Sequence, residues 1–347
     1  MKVLITGITG MAGSHLAEYV LNHTDALVFG TYRWRSKMDN LEDLKRAAHL
    51  NIIAEGSSLS QVEAMRKAIE EQAQPGKANL LEVNLTDSAC VHRLMAALSP
   101  DRIFHLAAQS FVPASWSAPV ETLTNNIVSE VNLFEAVREA GIDPLIHVAG
   151  SSEEYGLVLP NEVPIKETNP LRPLSTYAVS KVAQEMLAWQ YHRSYGLKTV
   201  VTRGFNHTGP RRGHIFVTSD CARQIAQIEC SSRPPVISIG DLEVRRDWTD
   251  VRDTVRAYWL ALEKGVPGEV YNVGSGTAYT IREMLDLLLR ATSVKVEIWQ
   301  ETTRFRPSDV RILLADVGKF QTQTGWKPEI PFEKTLSDLL DYWRARV

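Results

Sequence analysis

Cysteine is scarce: Cys90, Cys221 and Cys230 are the only three in 347 residues. They are odd in number and far apart, which excludes a disulfide framework or a paired-cysteine metal site and suits a reducing compartment. Long apolar runs are missing. Stretches such as residues 3–5 and 287–289 fall far short of the roughly 20 residues needed to cross a bilayer, so no membrane partner is expected. The N-terminus shows no apolar core of a secretory signal, which predicts a cytoplasmic protein. Charge of one sign is also missing: 38 basic residues face 41 acidic ones, leaving no global attraction for nucleic acid. The eight tryptophans read as core rather than as a base-stacking surface. The nine histidines contain no HExxH spacing, so no metal is expected, and His105, His147 and His207 read as strand-end or structural residues.

What is present is an alternation of short apolar runs with helical patterns. Residues 3–6 lead through glycines into a helical stretch at 14–22, and 26–32 is strand-like. Residues 79–83 precede a helix at 87–98, 103–106 precede one at 120–140, and 145–149 precede one at 177–195. Nearly continuous apolar strands between helices predict an α/β fold, a Rossmann-type doubly wound parallel sheet covered on both faces. After about residue 206 the alternation loosens. The expected division is therefore 1–205 for dinucleotide binding, with some later segments returning to it, and 206–347 as a smaller α/β portion that binds substrate. Residues 33–77 form a long excursion, of the kind that is often functional.

Gly7, Gly10 and Gly13 follow the first strand and open the first helix. Glycines there permit a tight turn and close approach of backbone N–H groups to a pyrophosphate at the helix N-terminus. That context predicts a nicotinamide dinucleotide, with Thr9 and Met11 in the same turn. An NAD-preferring chain ends its second strand in a carboxylate for the ribose 2′-OH. Here the strand runs into Arg33, Trp34, Arg35 and Ser36, which favours NADP over NAD, with Arg33, Arg35 and Ser36 around the 2′-phosphate.

Tyr177 and Lys181 stand at i, i+4 near the start of a helix, which puts phenol and ammonium on one face. A neighbouring cation favours the phenolate, so the pair forms an acid/base for a hydroxyl or a carbonyl.

Together these motifs resemble those of the extended short-chain dehydrogenase/reductase family of nucleotide-sugar enzymes. The likeness spans essentially the whole chain: the glycine turn, residues 106–110 after the fourth strand, 151–156 after the fifth, Tyr177 with Lys181, and Arg246 followed by Asp247 and Trp248. It implies that Leu106, Ala107 and Ala108 line the cofactor and that Lys181 also holds the nicotinamide ribose. It further implies that Ser151 completes a Ser-Tyr-Lys triad by hydrogen-bonding the substrate oxygen on which Tyr177 acts.

Residues 205–213 with 216–218, then 306–310 and 325–328, are similar to segments of the GDP-mannose 4,6-dehydratases. Residues 150–156, 208–210 and 249–253 also resemble the GDP-4-keto-6-deoxymannose reductases. The likeness implies a GDP-linked nucleotide sugar as ligand, contacted by Ser110, Ser152, Asn206, Val217, Arg246 and Arg306. Arg211 and Arg212 are weaker candidates for that cradle. It also implies a homodimer or homotetramer. A 4,6-dehydratase must remove a proton next to a new ketone and expel water from the adjacent carbon, which calls for a carboxyl group besides the tyrosine. Glu153, two residues after Ser151, stands where dehydratases place it. In a reductase Glu153 is a bystander; a related nucleotide-sugar dehydratase or epimerase is a further alternative.

Overall fold

The computed structural model describes residues 1–53, 61–301 and 310–347. Its strands are β1 (Lys2–Thr6), β2 (Leu27–Tyr32), β3 (Leu50–Ile52), β4 (Ala78–Glu82), β5 (Arg102–His105), β6 (Leu145–Ser151), β7 (Lys198–Gly204), β8 (Asn206–Thr208), β9 (Val236–Ile239), β10 (Arg245–Asp250), β11 (Val270–Val273), β12 (Ala278–Thr280), β13 (Glu297–Gln300) and β14 (Ile312–Leu313). Eight of them form one parallel sheet in the order β11-β7-β6-β5-β1-β2-β4-β3. The order reverses at β1, the place where doubly wound sheets open a ligand crevice beyond their strand ends.

Central strands such as β1 are apolar in their middle, Val3 to Ile5, because both faces are covered. On one face Val3, Ile5 and Phe104 pack with residues of the helices Met11–His23 and Val251–Lys264. On the other, Leu4, Ile103 and Ile146 pack with the helices Val62–Gln72, Ser88–Leu98, Ser129–Glu139 and Thr176–Tyr195. Local chemistry sets several helix starts. Asp87 accepts from the Cys90 N–H at 3.1 Å, and Ser175 accepts from the Ala178 N–H at 3.1 Å. Each such cap stabilises its helix by about 1 kcal/mol.

The rest of the chain builds a second core from Ile225, Ile237, Trp248, Leu285 and Leu336. There β10 pairs with β8, β12 and β14, and β9 pairs with β13. β11 and the helix Val251–Lys264 lie in the first layer although both follow residue 206.

Three local features differ from the sequence reading. The excursion at 33–77 contains a short edge strand, β3, paired to β4. Its three residues are too few to show a period. The run expected as one helix at 120–140 is continuous from Pro119 to Glu139 but carries a π turn at Thr124–Val128. β10, which the sequence reading leaves without an assignment, is a strand whose side chains are buried from Arg246 to Asp250. Among the described residues no helix is long and apolar enough to cross a membrane.

Candidate active site

A cleft of about 380 Å³ runs along the strand ends from the turn after β1 to the helix that carries Tyr177. The turn is built on steric necessity. Gly7 has φ +70°, and a Cβ there would lie 2.8 Å from the Ala107 Cα; a Cβ on Gly13 would lie 2.4 Å from the Gly7 carbonyl oxygen. The helix Met11–His23 begins at Gly10 without a side-chain cap, so its first N–H groups are open to an anion. Thr6 Oγ1 accepts from the N–H groups of Leu106 and Ala107 at 3.1 and 3.2 Å. This ties the ends of β1 and β5 together and turns Leu106, Ala107 and Ala108 into the cleft wall. Gly7, Thr9, Gly10, Met11 and Gly13 line the same wall.

Arg33 and Ser36 line the far end beyond β2 and are held as a tight turn: the Arg33 N–H donates to Ser36 Oγ at 3.0 Å. Arg35 points elsewhere, its guanidinium stacked 4.3 Å from the Trp34 ring centre, and it does not form the wall. A glycine turn with no room for a Cβ, an open helix N-terminus and an arginine in place of a carboxylate together fit NADP. Arg33→Ala will weaken NADPH binding about 10- to 100-fold and leave NADH binding within about twofold, the loss of a charge-assisted contact to the 2′-phosphate. Fluorescence titration with the two nucleotides measures this directly.

At the other end, Tyr177 is buried in the first turn of its helix, with Ser151 near enough to act on its phenol. Ser151 closes β6 and caps the short turn Ser152–Glu154: its Oγ accepts from the Glu153 N–H at 3.2 Å and its N–H donates to Glu154 Oε1 at 2.6 Å. Burial pushes the Tyr177 phenol well up, and the charges of Glu153 and Glu154 add to that; Ser151 and the Arg212 guanidinium oppose it. Lys181 is buried, with Nζ donating to the Ala149 carbonyl and to Gln184 Oε1, each at 2.8 Å. Its ammonium lies 6.0 Å from the Tyr177 ring centre. Burial pulls Lys181 down, against the charges of Glu130 and Glu154.

Two residues that the sequence reading set aside stand in the cleft. His207 reads as structural and Arg212 as weak, yet both line the wall with Tyr258. The Arg212 guanidinium sits 3.4 Å over the Phe216 ring; burial brings it down to about 10, which leaves it charged at neutral pH. Burial, then the charge of Arg212, brings His207 down to about 4, so its ring is neutral. Its neighbour Arg211, at φ +69°, turns the opposite way and pairs with Glu18 at 2.6 Å and Asp43 at 2.8 Å. Consecutive arginines beside Gly209 and Pro210 carried the signal of a splayed turn.

Ser110 lines the cleft, whereas Ser151, Ser152, Glu153, Asn206, Val217 and Arg246 do not form its wall. Ser152 is buried, and Val217 begins the helix Val217–Glu229. Asn206, on β8, has a buried side-chain oxygen with no hydrogen-bond donor. Arg246, on β10, donates to the carbonyls of Arg245 and Val310 at 2.9 and 2.7 Å. Arg306 lies outside the described residues. Among those residues no group of three His, Cys, Asp or Glu side chains is placed to hold a metal ion.

A family model described as GDP-mannose 4,6 dehydratase matches residues 47–339. The chain is 37% identical to a GDP-6-deoxy-D-mannose reductase of Pseudomonas aeruginosa, over 72% of this chain and 82% of that one. It is 33% identical to GDP-mannose 4,6 dehydratase 2 of Arabidopsis thaliana, over 97% of this chain and 85% of that one. Among solved structures it is similar to that of RMD from Pseudomonas aeruginosa complexed with NADPH, with a TM-score of 0.79 at 30% identity, covering 100% and 99% of the two chains.

Proposed function

The chain belongs to the GDP-mannose 4,6-dehydratase family of nucleotide-sugar enzymes, and we propose that it converts GDP-mannose to GDP-4-keto-6-deoxymannose. The observation that carries this reading is the turn Ser152–Glu154. It sets the Glu153 carboxylate near enough to act electrostatically on the Tyr177 phenol, with Ser151 of the preceding strand on the same phenol. Two acid/base groups on one substrate position are what an oxidation followed by loss of water requires.

NADP would be held by the glycine turn, Arg33, Ser36 and Lys181, and when bound would supply the hydride acceptor for C4 and the hydride donor for C6. Tyr177 accepts the proton of the 4-hydroxyl, and Ser151 fixes that oxygen by a hydrogen bond. The Lys181 ammonium stabilises the phenolate that takes this proton. Glu153 removes the proton at C5, made acidic by the 4-ketone, and protonates the departing C6 hydroxyl; the proton that Tyr177 took from the 4-hydroxyl is then delivered to C5 as C6 is reduced. Asn206 offers its unpartnered oxygen to the sugar nucleotide. Ser110, Ser152 and Val217 contribute contacts, and Arg246 and Arg306 meet the pyrophosphate. In this reading residues 1–205 hold the cofactor and residues 206–347 mainly the nucleotide sugar, in the cytoplasm.

Reduction of a 4-ketone by NADPH is the second reading, favoured by the 37% identity to the reductase. The protein is incubated with GDP-mannose and catalytic NADP, without added reductant. Accumulation of a 4-keto-6-deoxy sugar supports dehydration. No turnover of GDP-mannose, with stoichiometric NADPH loss on the ketone, selects reduction.

The assembly is a homo-oligomer in this reading, paired through Trp116, Val120, Val179, Met186 and Trp189. These are 53, 75, 45, 46 and 55% exposed, and the last three lie on the helix that carries Tyr177. A contiguous apolar face of this kind marks an interface. Trp189→Glu combined with Met186→Lys will halve the sedimenting mass without changing the circular dichroism spectrum.

A further inference from the structure

Beneath Lys181 lies a carboxylate with no place in the mechanism above. Glu130 has no solvent exposure, and it stands at the start of the helix Ser129–Glu139 directly after the π turn. Its Oε2 accepts from Gln184 Nε2 at 2.6 Å, and its Oε1 has no hydrogen-bond donor. Gln184, also buried, accepts through Oε1 from Lys181 Nζ at 2.8 Å. The amide is thus pinned as an oriented dipole: its NH₂ faces the carboxylate and its oxygen faces the ammonium. A flip would set donor against donor and acceptor against acceptor.

A buried carboxyl with an oxygen left unsatisfied is unfavourable unless a charge compensates it. The cation in reach is Lys181. We propose that Glu130 is a positioning residue, which through Gln184 aims the Lys181 ammonium at the reactive end of the cleft and keeps it charged as the pH rises. The inference rests on the acid/base role of Lys181 in the proposed reaction.

The other groups around Lys181 do not take over this task. His147 on β6 and His105 on β5 are brought by burial to about 3, so both are neutral. Glu154, in the turn after β6, is raised strongly by burial and then by the charge of Glu185. Glu185 is itself committed to Arg203, which binds it through Nε at 2.7 Å and Nη2 at 2.5 Å. Tyr177, on the same helix, is raised by burial and by the charges of Glu153 and Glu154, so it supplies no fixed charge that would hold the Lys181 proton. Burial raises Glu130 as well, opposed by Lys181, so the two titrate together on the alkaline side of neutrality.

The test follows turnover of the GDP-sugar and affinity for NADPH from pH 6 to pH 10, in the full-length protein, with thermal melts as a check on folding. In Glu130→Gln the alkaline limb of kcat moves down by about one pH unit, because a neutral amide no longer holds the Lys181 proton. KM stays within about twofold, turnover at pH 7 falls no more than about threefold, and Glu130→Asp restores the limb. NADPH affinity is lost over the same lowered pH range. Gln184→Glu, which sets a carboxylate directly on the ammonium, moves the limb the opposite way and keeps the proposal testable if Glu130→Gln fails to fold. A uniform loss at every pH, or limbs that coincide with wild type in both variants, overturns it. If wild type turns over neither GDP-sugar, the reaction assigned above fails, and the NADPH titration still reads Glu130 against Lys181.

Discussion

Tyr177→Phe lowers turnover by about three orders of magnitude while NADPH affinity stays within a few-fold. In the proposed reaction the hydroxyl removed is the group that exchanges the proton with the sugar oxygen, and positioned acid/base groups typically contribute about 10²- to 10⁴-fold. The ring remains, so the packing of the first turn of its helix is kept. The pH dependence has a definite sign. Burial, reinforced by Glu153 and Glu154, raises the phenol, so oxidation of a 4-hydroxyl speeds up with pH as the phenolate becomes accessible. It slows again once Lys181 loses its proton. In the Phe variant the rising limb disappears, which stopped-flow absorbance at the reduced-nicotinamide band measures over the same pH range.

Glu153→Gln separates the chemical steps. Loss of water falls by about 10²- to 10³-fold, the contribution of one acid/base group. Oxidation at C4 survives, because Ser151, Tyr177 and Lys181 are untouched. Run in deuterium oxide, the wild type incorporates solvent deuterium at C5 of the 4-keto-6-deoxy product, and the Gln variant accumulates almost none. Full elimination by the variant removes the role assigned to Glu153 and leaves reduction of a ketone as the better account of the site. The amide is close in size to the carboxyl, so the turn Ser152–Glu154 keeps the Ser151 cap that shapes it.

The parts of the site that were legible in the sequence are those set by local spacing. The glycine turn is local because three glycines in seven residues answer to contacts with Ala107, Ile8 and the turn's own carbonyl. Tyr177 and Lys181 are legible because four residues make about one helical turn. Arg33 is legible as the first residue after a strand. Arg35, two residues further on, is not, since its stacking on Trp34 depends on how the loop folds back. Glu130 carries no signal either: in sequence it is one more acid in a polar helix, and only the approach of Gln184 from another helix shows that it is buried. The π turn that precedes it leaves no compositional trace. His207 and Arg212 reach the cleft because β8 pairs with β10, a pairing between segments about 40 residues apart. A period-based reading has no access to such partners.

The return of β11 to the edge beyond β7, with the helix Val251–Lys264 covering Phe104 and Val200, governs how this polypeptide reaches its native state. During synthesis the first 205 residues emerge with β7 as an open rim and one sheet surface bare. Such a nascent intermediate is prone to edge-to-edge association until the rest of the chain arrives. Dissecting the protein at residue 205 therefore does not yield an autonomous coenzyme-binding fragment. Expression strategies gain from slower translation or chaperone support rather than from truncation.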